Sequence, residues 1–312
     1  LPRPTVRLSL ECDNACVFCA QHGLEDAGVS AFVAPLREAR ATSDEVTFIG
    51  GEPTLSPQLP NAIAFARRIG FSRIGIQTNG RRLQDGAFVR TLVEAGLTDV
   101  HLSIHGAEPA VHDYHTGVPG SFAEMIAGLR EVRARNVSAV ATTVVTRSNY
   151  RVLSAIPRLL KSTGVVSWAV TLPRVAGRLS RADDRLTPRL GLAMPFVLAA
   201  LTDAGKLGLE SWIFGAPACT LGPFSARLLP DAPRAYAPVC ESCPARGYCP
   251  GVDPIYLERF QGDELAVREF PAPQKPPPVT GLFVGVGELA PPAPAPELAP
   301  APDVPLTQLG RR

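Results

Sequence analysis

The sequence predicts an α/β fold, a parallel sheet either open or curled into a partial barrel, with a small cysteine-rich extension after it. Three observations carry that prediction. Strand-like runs alternate with amphipathic stretches as far as residue 172. The connections between them are short, and successive βα units of this kind build parallel sheets. Four of the seven cysteines lie beyond residue 210, outside the alternating region.

The elements follow in chain order. "TVRLSL" (5–10) alternates as a strand does and runs into a loop holding Cys12, Cys16 and Cys19. "EVTFIG" (45–50) is the second strand and ends at Gly50-Gly51. "RIGIQT" (73–78) ends at Asn79-Gly80, and "DVHLSIH" (99–105) ends at Gly106. "SAVATTVV" (138–145) and "VVSWAVTL" (165–172) complete six strands. Amphipathic helices are expected near 28–41, 57–69, 83–95, 121–134 and 152–162. These elements place the core barrel at 1–205, the cysteine-rich region at 206–270 and a Pro/Ala-rich tail at 271–312. The tail, with "QKPPPV" and "APPAPAPELAPAP", lacks the apolar residues to fold alone, although "GLFVGVG" (281–287) forms a small apolar island in it.

Composition narrows the class. At 312 residues and 46% apolar content the chain has ample material for a packed core. Its apolar runs fall well short of the roughly 20 residues that span a bilayer. A formal charge of +2 without a basic stripe argues against a nucleic-acid partner. An odd number of cysteines with no signal peptide argues for metal ligands rather than a disulfide scaffold, in a reducing, cytoplasmic setting with no membrane association.

Parallel α/β sheets carry their sites at the carboxyl edge, so the strand ends hold the functional information. The first strand delivers three cysteines, the second "GGEPT" (50–54), the third "QTNG" (77–80) and the fourth "SIHG" (103–106). On the fourth strand, Val100, Leu102 and Ile104 belong to one face and His101, Ser103 and His105 to the other. Polar side chains on an inner face need partners, and a polar ligand pocket supplies them.

Cys12-x3-Cys16-x2-Cys19, with Phe18 before the last cysteine and "GGEPT" at the next strand end, resembles the signature of the radical S-adenosylmethionine (radical SAM) superfamily. The resemblance spans about residues 5–172 in matching order and implies a partial (β/α)6 TIM-like barrel. It implies a [4Fe–4S] cluster on Cys12, Cys16 and Cys19 whose fourth iron, lacking a protein thiolate, chelates the amino and carboxylate groups of SAM. Reductive cleavage of SAM then gives methionine and a 5′-deoxyadenosyl radical that abstracts hydrogen from substrate. By the same resemblance Gly50, Gly51, Glu52 and Pro53 form the methionine-binding turn, and Phe18 lies by the adenine. Ser103 and His105 reach the ribose or carboxylate, with Thr78, Asn79, Arg147 and Asn149 as further contacts. No catalytic side chain is assigned from sequence.

"CESCPARGYCPG" (240–251) spaces Cys240, Cys243 and Cys249 as C-x2-C-x5-C and resembles the auxiliary-cluster extensions called SPASM or twitch domains. The pattern departs from a full SPASM domain, since Asp253 stands where a further cysteine is expected. With Cys219 as the fourth ligand one second [4Fe–4S] cluster fits, and a four-cysteine zinc site fits the same thiolate count. The reading is a radical SAM enzyme acting on a peptide or protein, supplied with electrons by a reductase or a flavodoxin-type donor. The alternatives are a small-molecule radical SAM enzyme and a non-catalytic iron–sulfur or zinc protein.

Overall fold

The computed structural model describes residues 3–24, 31–181, 183–269 and 271–273. The "GLFVGVG" island and nearly all of the tail lie outside these residues, as does the start of the first expected helix. Seven strands form one parallel sheet in sequence order: β1 Thr5–Ser9, β2 Glu45–Gly50, β3 Arg73–Thr78, β4 Asp99–Ser103, β5 Ser138–Val144, β6 Ser167–Thr171 and β7 Glu210–Phe214. Neighbours pair in step, for example Gly75 with Asp99, Asp99 with Ser138 and Thr142 with Ala169. β1 and β7 are the edges, so the sheet is open and matches an incomplete barrel.

Helices connect the strands: α1 Val33–Arg40, α2 Leu59–Arg68, α3 Gly86–Ala95, α4 Pro109–Thr116, α5 Ser121–Ala134, α6 Ile156–Ser162, α7 Asp183–Leu186, α8 Leu190–Lys206 and α9 Pro254–Phe260. Their ends follow the local chemistry. Asp85 caps α3 by accepting from the N–H groups of Ala87 and Phe88, and Gly96, at φ 125°, ends it. Asp253 caps α9 through the N–H of Ile255.

The two faces of the sheet pack differently. Val46, Phe48, Ile74, Ile76, Val100, Leu102 and Ile104 join the helices in the main apolar core. On β5–β7 the alternate residues Val140, Ala169, Trp212 and Phe214 turn the other way and gather with Leu229. Period-two alternation thus sorts helix-facing from inner residues across the whole sheet. At the amino edge, buried Arg3 pairs with Asp99 at 2.8 Å and donates to the carbonyl of Val46 at 2.7 Å. Gly75 sits beside that pair, where a Cβ would collide with the Asp99 carboxylate.

All six expected strands form, and the pattern continues past them. β7 extends the same sheet beyond residue 205, after the long helix α8. After β7 the chain runs through short 3₁₀ turns at Ala218–Thr220, Gly222–Arg227, Pro238–Cys240 and Pro244–Gly247 before α9. Among the described residues no helix is long and apolar enough to cross a membrane.

Candidate active site

One cavity opens at the carboxyl edge of the sheet. The last residue of each of β2 to β6 (Gly50, Thr78, Ser103, Val144 and Thr171) is on its wall, together with Cys12, Cys16 and Cys19. Phe18, Gly51, Asn79 and His105 line it too. The fold therefore brings together eight of the expected cofactor and ligand positions whose sequence numbers run from 12 to 105, in addition to Gly50 and Ser103.

Glu52 and Pro53 lie behind this wall rather than on it. Glu52 is buried, and its carboxylate accepts four hydrogen bonds: Thr54 N at 3.0 Å, Thr54 Oγ1 at 2.7 Å, Thr78 Oγ1 at 2.7 Å and Asn79 N at 2.7 Å. Burial pushes this carboxyl up, and the donors, Asn79 N–H foremost, pull it down. Burial outweighs the donors, so the net shift is upward. Glu52 thereby ties the end of β2 to the end of β3, shaping the wall from behind.

The cysteine loop is held by the same strand ends. Gly51 N donates to Ser9 O at 2.8 Å and Glu52 N to Glu11 O at 2.7 Å. A Cβ on Gly51 would collide with the carbonyl oxygens of Leu10 and Glu11, so this glycine is required by the approach of the cysteine loop. Asn79 Nδ2 donates to Asp13 Oδ1 at 2.7 Å. Arg81 donates to Asp13 O at 2.8 Å and Asn14 Oδ1 at 3.1 Å, while its Nε meets Glu124 Oε2 at 2.5 Å. The segment after β6 closes the loop's other side. Arg178 N donates to Cys19 O at 2.9 Å, and Arg178 Nη1 to Cys16 O at 3.3 Å.

Phe18 meets His105 edge-on, ring centroids 4.7 Å apart. Behind His105 lie His112 at 5.8 Å and His115 at 6.1 Å, both buried on α4. His105 Nδ1 accepts from Val144 N at 3.4 Å, which leaves the ring proton of the neutral form on Nε2. Burial lowers all three imidazoles, with His112 brought down to about 4. His101 sits deeper on β4 with Nε2 at 2.5 Å from Thr142 Oγ1, and Thr142 itself is on the wall. Neither Arg147 nor Asn149 is on the wall. Arg147 is exposed, whereas Asn149 is buried and donates to the carbonyls of His105 and Val144.

All seven cysteines are free thiols. Burial pushes Cys12 up to about 11 and Cys16 up to about 12, so neither thiolate is favoured without a cationic partner. Iron would supply that partner, since coordination deprotonates a thiol outright. Asn14 N–H already points at Cys12 Sγ from 3.4 Å. This donor set fits the cluster expected from the sequence.

A second, smaller cavity is lined by Cys219, Cys240, Cys243 and Cys249 together, with Tyr236 and Leu265 around them. Cys249 Sγ accepts from the N–H groups of Ala218 at 3.3 Å and Gly251 at 3.4 Å. Backbone donors to sulfur are among the groups that tune iron–sulfur clusters. Among the described residues no group of three or more His, Cys, Asp or Glu is arranged to hold a metal ion directly.

Sequence reasoning missed Arg81, Thr142, Arg174 and Arg178. Two of them carry a signal: Arg81 follows "TNG" at the end of β3, and Arg174 follows "TLP" at the end of β6.

Residues 6–151 match the family model described as the radical SAM superfamily. The chain is 29% identical over 185 residues to an AdoMet-dependent heme synthase of Methanosarcina barkeri, covering 57% of this chain and 52% of the relative. It is 33% identical over 148 residues to a probable GTP 3′,8-cyclase of Pyrobaculum aerophilum, covering 44% of this chain and 46% of the relative. The chain spans about half the length of the curated relatives it matches. Streptococcus suis SuiB bound to its precursor peptide SuiA has a similar fold, with TM-score 0.54 at 17% identity over 68% of this chain and 49% of that one.

Proposed function

The chain belongs to the radical SAM superfamily through residues 6–151, and on that premise we propose that Cys12, Cys16 and Cys19 hold a [4Fe–4S] cluster at which S-adenosylmethionine binds. The observation that carries this reading is the meeting of the three cysteines with the ends of β2–β6 in one cavity. A reduced cluster held by these three cysteines would supply the electron for reductive cleavage of SAM. The chain's own residues then bind and orient. Gly50 and Gly51 leave the wall bare of side chains beside the cysteine loop. Glu52, from behind, fixes Thr78 and Asn79 on the wall of the cavity that would receive SAM. Phe18 offers an apolar surface to the adenine. Ser103 and the Nε2–H of His105 offer hydrogen bonds to the ribose or carboxylate.

Cys219, Cys240, Cys243 and Cys249 belong in this reading to a second [4Fe–4S] cluster in a SPASM- or twitch-like region spanning 206–270, with zinc as the alternative occupant. The substrate is a peptide or protein, which a fold shared with peptide-bound SuiB can accommodate. A second reading, a small-molecule substrate, is favoured by the relatives named as a heme synthase and a GTP cyclase. Either requires a reductase or flavodoxin-type electron donor, in a cytoplasmic setting.

Anaerobic reconstitution tests the reading. Wild-type protein should carry about eight irons in two cubes, and conversion of Cys12, Cys16 and Cys19 together to Ala should leave about four. The triple variant should form no 5′-deoxyadenosine from SAM. A triple variant that retained the full iron load would remove the cysteine loop from the mechanism.

A further inference from the structure

Arg174 follows β6 and stands on the wall of the cavity that holds Cys12, Cys16 and Cys19. It is half-buried, and its Nε is buried with no hydrogen-bond partner. The other arginines beside the cysteine loop are engaged, Arg81 with Asp13 and Glu124, Arg178 with Cys16 O and His22. Arg174 has no such partner among the described residues.

The nearby carboxylates do not fill that gap. Asp253 Oδ2 accepts from Val175 N at 3.0 Å and its Oδ1 from Ile255 N at 3.1 Å. Asp231 Oδ1 accepts from Ala232 N and its Oδ2 from Arg234, each at 2.8 Å. Both aspartates act on Arg174 through space, yet neither accepts a hydrogen bond from its buried Nε. A second cation, Arg234, adds to the positive field. Arg234 lines an adjoining cavity that shares Leu172 and Pro173 with the first. Burial and Arg234 both disfavour the charge on Arg174. A half-buried guanidinium whose buried Nε–H has no acceptor is costly unless a ligand supplies one.

We propose that Arg174 is a specificity-determining residue that receives an anionic group of the substrate, a carboxylate or a phosphate, at the β6 side of the cavity. The inference rests on the radical SAM reading of the same cavity and narrows its substrate class. A guanidinium matches both oxyanions through paired N–H donors, and a neutral substrate would leave it unpaired.

The test titrates full-length reconstituted protein with glutarate or with inorganic phosphate at constant ionic strength, read by calorimetry. The two probes separate a carboxylate from a phosphate. At least one should bind saturably, weakening tenfold or more in Arg174→Gln and less in Arg174→Lys. Arg130→Gln, on the exposed face of α5, controls for the lost charge and should titrate like wild type. Absence of saturable binding by both probes, or equal binding in wild type and Arg174→Gln, would overturn the inference. Repeated at saturating SAM, the titration should still show probe binding; probe binding abolished by SAM would assign Arg174 to SAM and overturn the inference too. Loss of SAM cleavage in wild type would instead sink the radical SAM reading, while the anion titration would still report on Arg174.

Discussion

The backbone N–H of Glu52 donates to the carbonyl of Glu11 at 2.7 Å, one residue before Cys12. The turn after β2 and the cysteine loop are therefore one unit, and Gly51 lies at their closest approach.

Gly51→Ala follows directly from that contact. The added methyl meets two backbone carbonyls, Leu10 and Glu11, which cannot swing away as a flexible side chain does. The variant should lose about 1–3 kcal/mol of stability and should bind iron less completely, because the displaced loop carries Cys12. Urea unfolding and iron content after reconstitution measure the two effects. Full iron loading with wild-type stability would show that the loop tolerates displacement.

Glu52→Gln tests the buried carboxylate. Its two oxygens serve two rigid backbone donors, Thr54 N on Oε1 and Asn79 N on Oε2. An amide has one oxygen, so whichever way it turns, one backbone N–H is stranded. Stranding it costs about 1–3 kcal/mol. SAM binding should weaken with it, since Thr78 and Asn79 lose their tether. Unchanged urea midpoint and SAM affinity would contradict this role.

The buried imidazoles set a pH dependence. His112 is held down to about 4, chiefly by burial, with Asp113 opposing and His115 assisting; His105 and His115 are lowered as well. The unfolded chain, with histidines near 6.5, binds these protons first. Their contribution is therefore complete above about pH 6.5 and is lost as pH falls toward 4. Stability should drop by on the order of a few kcal/mol between pH 7 and 5, and His112→Phe should flatten that slope. Equal slopes in urea titrations of the two proteins would show that His112 is not neutral when folded.

Much of this site was legible because strand periodicity and strand-end residues are local. The alternation Val100, Leu102, Ile104 against Ser103 and His105 put the right residues on the cavity wall without knowledge of the helices. α8 was not legible: "LGLAMPFVLAAL" is apolar nearly all round and carries Pro195 inside the helix, which ordinarily signals a break. Losing α8 also hid β7. The orientation of Glu52 away from the cavity could not be read either, since it depends on donors contributed by Thr78 and Asn79, more than twenty residues later. Arg174 is a similar case. A missing partner is a property of the folded neighbourhood, and no local pattern records it.

The central claim is that SAM binds at a cluster on Cys12, Cys16 and Cys19. The most direct measurement is the EPR spectrum of the dithionite-reduced, reconstituted protein before and after addition of SAM. A variant with Cys219, Cys240, Cys243 and Cys249 changed to Ala isolates the N-terminal centre. The account predicts a [4Fe–4S] signal in that variant whose g-values shift on SAM addition, and no such shift in a protein lacking the three N-terminal thiols. A signal from the N-terminal centre that stays the same at saturating SAM would contradict it.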